Sequence, residues 1–513
     1  MDLPGKTNLP WPLRSALTTW LYSFTVVLGL CIALLRQYRS KHQRILSNVP
    51  ISGVGGAAPL SDLNEARARF RHGSKKMLLE GYQQNKGKPF YVPTPMGERL
   101  MLPSNYIEEL KNEPNEKADF PATFVEMFLG GYTTIGTDQT LHPRIIKDQL
   151  NQYLRKFPSR IISDVDDEVK ASFTDLIPDC SNDWVEISIM DVLTRTVARA
   201  SSRMFGGKHL SRHEPWTDTM IAFTNDSFLA AQRLKDFPAF VRPIAQYFVP
   251  ELKKVFDHFA LAERLVVPMY EERERTGKKE IDLLQWMMDN AEGRSKAKLS
   301  AINLHVAFAA IHTSAIAVTH IIYDLCAYPE YWKPIRQEIA DALAEGPPSK
   351  KTLLKMKKLD SFMRESQRFN PLLLITFERF MHRDYTFSDG FTVPANTQIG
   401  VPAHAVGLDP TLYHEPEKFD GFRYYKIRDA QPEKAGQQAY TAANLTNMSW
   451  GYGKHACPGR WFADAELKVI LCHLLMEYDI RFPDGKTRPV SLEFETQNLP
   501  DRTATVLIRK RGV

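Results

Sequence analysis

Ten residues near the C-terminal end carry the densest chemical signal in the chain: Trp450-Gly451-Tyr452-Gly453-Lys454-His455-Ala456-Cys457-Pro458-Gly459. Glycines and a proline bracket one cysteine, and the run WFADAELKVILCHLLMEY that follows reads as a helix. A thiol at a helix N-terminus stands beside free backbone N–H groups and the positive end of the helix dipole, which favour the thiolate. Glycines at such a turn let a flat ligand approach the backbone closely. A thiolate presented this way can hold iron, attack a substrate with His455 as base, or pair with His455 on zinc. A structural zinc site wants four ligands in short paired spacings, and no second pair lies nearby. A purely structural cysteine is the commonest kind, but it leaves the glycines unexplained.

The segment resembles the haem-ligand loop of the haem-thiolate monooxygenases, the cytochrome P-450 family. That pattern is an aromatic residue, two more, Gly, any, Arg or His, any, Cys, any, Gly, and Trp450, Gly453, His455, Cys457 and Gly459 fit it in register. Tryptophan stands at position 450 where the family usually has phenylalanine. Further motifs similar to the family's occur upstream in the expected order. FMRESQRFNP holds Glu365 and Arg368 at i, i+3, and PEKFDGFRYY supplies Arg423, the set that in the family forms a buried ion triad. AAIHTS, residues 309–314, is similar to the oxygen-binding stretch, with His312 where the family has an acid and Thr313 in place. Arg379 matches an arginine that reaches a haem propionate. LHPRIIKDQL stands where another propionate-binding helix is expected, with Arg144 and Lys147 as its basic residues.

The resemblance implies a cytochrome P-450 fold, mainly α with a small β-sheet region, and haem b (iron protoporphyrin IX) as cofactor. Cys457 would be the axial iron ligand, His455 and Arg379 propionate partners, and Thr313 a hydroxyl that helps deliver protons for O–O cleavage. His312 is expected either to relay protons, for which its ordinary pKa near 6.5 is suited, or simply to pack on an apolar helix. Phe124, Phe128, Ala309 and Leu372 to Leu374 are the expected pocket residues. The substrate class implied is a hydrophobic small molecule, and similar His-Thr pairs in fungal members that oxidise terpenoids point to a terpenoid-type intermediate of secondary metabolism. Electrons would come from NADPH through a membrane-bound cytochrome reductase, with cytochrome b5 as a further donor, because no dinucleotide fingerprint occurs in the chain. Two alternatives keep the sequence signal: a haem-thiolate isomerase or dehydratase, and a tethered haem protein that carries electrons or senses gas.

The elements that must position these residues are legible from apolar spacing. From about 60 to 370 the three-to-four periodicity predicts helices, with Ser61 and Ser211 as caps. LSAINLHVAFAAIHTSAIAVTHIIYDLCA (299–327) is apolar nearly all round, which predicts a helix buried through the middle of a large domain, capped by Ser300. Strand character follows residue 375 around an Asp389-Gly390 turn, and residues 407–448 read as a long ordered connection.

At 513 residues, 43% apolar and 25% charged, the chain has the ordinary globular composition. Its formal charge of +6 is uneven. Residues 1–44 hold six basic residues against Asp2, a local +5, so the rest carries +1 and no nucleic-acid-binding field is implied. Residues 15–35 contain no charge and are long enough to span a bilayer, and four Lys/Arg in the next nine residues predict a body facing the cytoplasm. The expected organisation is a lumenal segment (1–14), a transmembrane helix (15–35), a basic stretch and Gly/Pro hinge (36–59) and a catalytic domain (60–513), as a single-pass protein of the endoplasmic reticulum membrane. KDFPAFVRPIAQYFVPEL (235–252) is expected to dip into the bilayer or to be buried. Five scattered cysteines predict reduced thiols rather than a disulfide framework.

Overall fold

A computed structural model describes residues 45–53, 60–138 and 140–512. The expected transmembrane helix and lumenal segment lie outside the described residues. Of the expected hinge, residues 45–53 are docked: Val49 is buried, and the Ser52 N–H and Pro50 carbonyl both bond Tyr91 of the first strand.

The architecture is mainly helical with small sheets. Its axis is the helix Lys296–Ala327, about 48 Å long at 1.5 Å per residue. Its cap is Ser295, whose side chain accepts from the Lys298 N–H; Ser300 lies inside the helix and bonds the Ala297 carbonyl. Among the described residues it is the one helix long and apolar enough to cross a membrane, and it is mostly buried within the domain. Helices Ile189–Ser211, Glu214–Lys235, Pro250–Thr276, Lys357–Phe369 and Arg460–Glu477 pack around it, so apolar residues on every face find partners. Pro158–Leu176 packs against both Ile189–Ser211 and Arg460–Glu477. The two other expected caps shift: Ser61 falls within the helix Leu60–Gln84, and Ser211 ends one helix rather than starting the next, its hydroxyl bonding Glu168.

A five-stranded sheet flanks this bundle in the order Phe90–Thr94, Gly97–Met101, Thr397–Val401, Thr376–Met381, Ala118–Asp119. The Gly97–Met101 and Thr397–Val401 pair is parallel, and the other pairs are antiparallel. The register slips between Thr376 and Arg379, with Phe377 at φ +51°. A regular strand alternates its side chains between faces, whereas a bulge re-aims them. Here Thr376, Phe377, Glu378 and Arg379 all reach one cavity wall. The Asp389-Gly390 turn joins the short hairpin Tyr385–Thr386 and Thr392–Val393. The connection after residue 407 is ordered, with an α-helix at Arg423–Ala430 and a 3-10 helix at Pro432–Gln438.

Candidate active site

A cavity of about 870 Å3 lies between the cysteine loop and the central helix. The loop and the first turn of the helix after it, residues 449–463, form one wall; Ala309, Ala310, Thr313 and Ser314 of the central helix form part of another. The loop closes on itself through the Cys457 N–H, which donates to the Trp450 carbonyl at 2.7 Å. Trp450 is pinned in turn by its indole N–H to the Tyr440 carbonyl, 2.7 Å. Gly453, at φ +71°, presses on another segment: a Cβ there would stand 2.3 Å from the Lys111 carbonyl oxygen. That oxygen accepts the Lys454 N–H, so the loop's shape is fixed from outside as well as within.

The Cys457 sulfur meets the cavity rather than bulk solvent. Burial pushes its thiol pKa up, and the N–H groups of Gly459 and Arg460 offset only part of that. The helix terminus alone therefore does not hold a thiolate here, and a cation at the sulfur is what would complete it. Among the described residues no group of three or more His, Cys, Asp or Glu is arranged to hold a metal ion. His455 Nε2 bonds Asn115 Oδ1 at 2.9 Å, with burial and the nearby Arg379 pushing its pKa down to about 4. Among the described residues no hydrogen bond joins His455 to Cys457, so neither a zinc pair nor a Cys-His nucleophile is assembled.

Arg379 is 3% exposed and lines the cavity. Its Nη1 bonds the carbonyl of its own neighbour Glu378, and its guanidinium lies against the rings of Phe377 and Phe120. No carboxylate is within ion-pairing distance among the described residues, and burial pushes its pKa down to about 10. Arg144 and Lys147 also border the cavity; Arg144 is engaged by Glu292 at 2.5 Å. A π-helical turn at Ile146–Leu150 inserts one residue into this stretch, which shifts its side-chain register.

Thr313 faces the cavity, its hydroxyl donating to the Ala309 carbonyl at 2.7 Å. His312 does not. One residue along a helix is rotated by about 100°, and its ring is turned into the contact with Glu214–Lys235, where Nε2 bonds the Ile221 carbonyl at 2.9 Å. Burial pushes its pKa down. This placement matches the packing role expected of His312 and takes its ring off the cavity wall. Phe124, Ala309, Leu372 and Leu373 line the cavity, whereas Phe128 and Leu374 are core behind it. Glu365, Arg368 and Arg423 come together, with Arg368 Nη2 at 2.7 Å and Arg423 Nε at 3.2 Å from Glu365 Oε1. Sequence reasoning missed Asn115, His142, His305 and Glu466, all on the cavity wall. The cue for Glu466 was present, since Asp464, Glu466 and Lys468 interrupt an apolar run.

A family model described as Cytochrome P450 matches residues 114–507. The chain belongs to the cytochrome P450 family. It is 36% identical over 457 residues to cytochrome P450 monooxygenase AN1598 of Emericella nidulans, covering 87% of this chain and 85% of that one. It is 35% identical over 506 residues to cytochrome P450 monooxygenase braC of Annulohypoxylon truncatum, covering 96% and 98%. Ent-kaurene oxidase P450-4 of Gibberella fujikuroi is 32% identical over 478 residues, 91% of this chain and 94% of that protein. The protein is thus a cytochrome P450 monooxygenase, a class that works with a haem-thiolate cofactor, O2, a redox partner and a small-molecule substrate. The residues present fit that cofactor. The cavity holds a soft sulfur donor, a buried arginine without a carboxylate, and Gly459, beside which no further protein atom lies within 4 Å of a built Cβ.

Proposed function

We propose that this P450 is a membrane-anchored enzyme that hydroxylates, epoxidises or further oxidises a hydrophobic, terpenoid-type molecule. The observation that carries the reading is Cys457, whose thiol meets the cavity from a loop closed by its own N–H, while Ala309 and Thr313 line the same space from the central helix. Cys457 would hold the iron of haem b, which when bound supplies reductive activation of O2 and insertion of one oxygen atom into a C–H or C=C bond.

The chain's own residues bind, orient and move protons around that chemistry. Gly459 keeps the backbone open to a flat ligand, Gly453 lets the loop press against Lys111, and Trp450 lines the cavity beside Cys457. Arg379 offers the charge that a buried propionate requires, and His455, oriented by Asn115, borders the same region. Small Ala309 leaves room for substrate. The Thr313 hydroxyl, resting on the Ala309 carbonyl, keeps its oxygen lone pairs available to pass a proton. Phe124, Leu372 and Leu373 offer apolar surface to a hydrocarbon skeleton.

The terpenoid class is supported by the similarity to an ent-kaurene oxidase. Anchoring is supported by the charge-free stretch 15–35 and by Phe240, Ile244, Tyr247 and Phe248, each at least 66% exposed, an apolar patch suited to a lipid surface. The proposed organisation is a single-pass anchor in the endoplasmic reticulum membrane, segments 1–14, 15–35 and 36–59 preceding a catalytic domain facing the cytoplasm, with NADPH–cytochrome reductase and cytochrome b5 as electron donors.

Cys457→Ala is expected to abolish the thiolate-type spectrum of the carbon monoxide complex; its retention would overturn the ligand assignment. Thr313→Ala should keep haem yet divert electrons into peroxide, and unchanged coupling would assign proton delivery to other groups. Native enzyme with reductase, NADPH and a panel of terpenoid hydrocarbons should give oxygenated products; turnover without reductase would move it to the isomerase class.

A further inference from the structure

The helix after the cysteine loop carries a carboxyl that the chemistry above leaves unused. Glu466 stands nine residues beyond Cys457, in the second turn of the helix Arg460–Glu477, is 1% exposed and forms part of the cavity wall. Its Oε1 accepts a hydrogen bond from the Ser201 hydroxyl at 2.8 Å, and the hydroxyl of Ser314, next to Thr313, acts on it from the central helix. Around these lie Ile161, Ile162, Val165, Phe462 and Val469.

The charged groups on the neighbouring helices are engaged elsewhere. On Pro158–Leu176, Asp164 meets Arg203, Asp166 meets Lys170 and His473, and Glu168 meets Arg199 and Arg212. The same Arg199 and Arg203 are the charges that Ile189–Ser211 brings near, and the central helix contributes Ser314. On Glu466's own helix, Lys468 is held by Asp464 and Asp360. No cation pairs with Glu466 among the described residues. A carboxylate in hydrocarbon with only hydroxyl donors lacks the counter-charge that ionisation requires, so the neutral acid is favoured. Burial pushes its pKa up to about 8.

We propose that Glu466 is a redox-linked proton site: in the alkaline range where the oxidised protein leaves it ionised, it takes up a proton from water when the cofactor takes up an electron, so that one charge of each sign enters together. This rests on the haem-thiolate reading and goes beyond it. The reductase is oxidised by one electron as the cofactor is reduced; an O–H bond of water breaks, an O–H bond forms at a Glu466 carboxylate oxygen, and hydroxide leaves to solvent. The physical cause is the poorly screened interior: an added electron disfavours a second negative charge on the same cavity wall. Linkage makes the effect reciprocal, so the ionised carboxylate makes the cofactor harder to reduce.

The test is the midpoint potential of the haem-loaded enzyme between about pH 6 and about pH 9. The native enzyme should show a potential that falls as pH rises, with a break that Glu466→Gln abolishes. Equal slopes in the two proteins would overturn the proposal. Ser201→Ala removes a donor that favours the ionised form and should move the break to higher pH; an unmoved break would overturn it even where Glu466→Gln fails to load haem. Infrared spectra add a readout that needs no cofactor: a protonated-carboxyl band at pH 7, lost in Glu466→Gln, is expected, and its absence from the native chain counts against the proposal. A native chain that gives no carbon monoxide spectrum sinks the haem reading, whereas a loaded enzyme with unaltered slopes sinks only this one.

Discussion

Glu365 and Glu466 are both buried glutamates on helices packed against the central one, and they differ in what answers their charge. Glu365 receives two N–H groups of Arg368 at 2.7 and 2.9 Å, the Arg423 Nε at 3.2 Å and the Asp420 backbone N–H at 3.0 Å. The two arginines spend their other donors on carbonyls of the irregular connection, Gly407, Pro416, His414 and Lys418 among them. A buried charge with counter-charges becomes a tie that shapes the largely irregular connection after residue 407. Glu466 has hydroxyls alone, ties nothing down by charge, and is free to titrate. Burial by itself thus says nothing about whether a carboxyl is structural; the partners decide.

The sharpest break of this contrast is Glu365→Gln. It strands two arginines in the interior and is expected to lower stability by about 3 to 5 kcal/mol, read as a denaturant midpoint, with the connection becoming protease-sensitive. Glu466→Gln should act in the opposite direction. The folded acid keeps a proton that the unfolded one releases above its ordinary value of 4.5, so native stability falls as pH rises from there to about 8. The amide lacks that loss, and the variant should be more stable than the native chain by about 1 to 3 kcal/mol at neutral pH, the gap closing towards acid. A smaller effect is expected at His473, which bonds Asp166 and Glu477 at 2.7 Å each. Burial opposes its charge, yet these two carboxylates win and raise its pKa above 6.5. Its stabilisation is therefore complete below 6.5 and lost as pH rises through the raised value. His473→Gln should flatten that alkaline decline by about 1 to 2 kcal/mol of stability, read from denaturant midpoints across the pH range.

The same contrast marks what could be read from the chain alone. Arg368 lies one helical turn from Glu365, and Arg423 stands in a motif of fixed spacing, so the paired acid was visible. The central helix was visible too, because an all-round apolar run has few other fates. Which of its residues faces the cavity was not: with every face apolar, Thr313 and His312 look equivalent until neighbouring helices settle the rotation. Glu466 needed Ser201 and Ser314 brought to it from two other helices, and the aim of Arg379 needed a strand bulge with Phe377 at positive φ, a conformation its residue type gives no reason to expect. Cys457 was found at once by its bracket of glycines, but the upward push on its thiol depended on burial.

Gly453 against Lys111, with His455 reaching Asn115 across 340 positions of chain, ties the cysteine loop to a distant segment and predicts that the loop is a late piece of assembly. Closing so long a span is slow and unrewarded until both ends have already taken shape. Colour in a maturing preparation should therefore appear after the helical signal has levelled off.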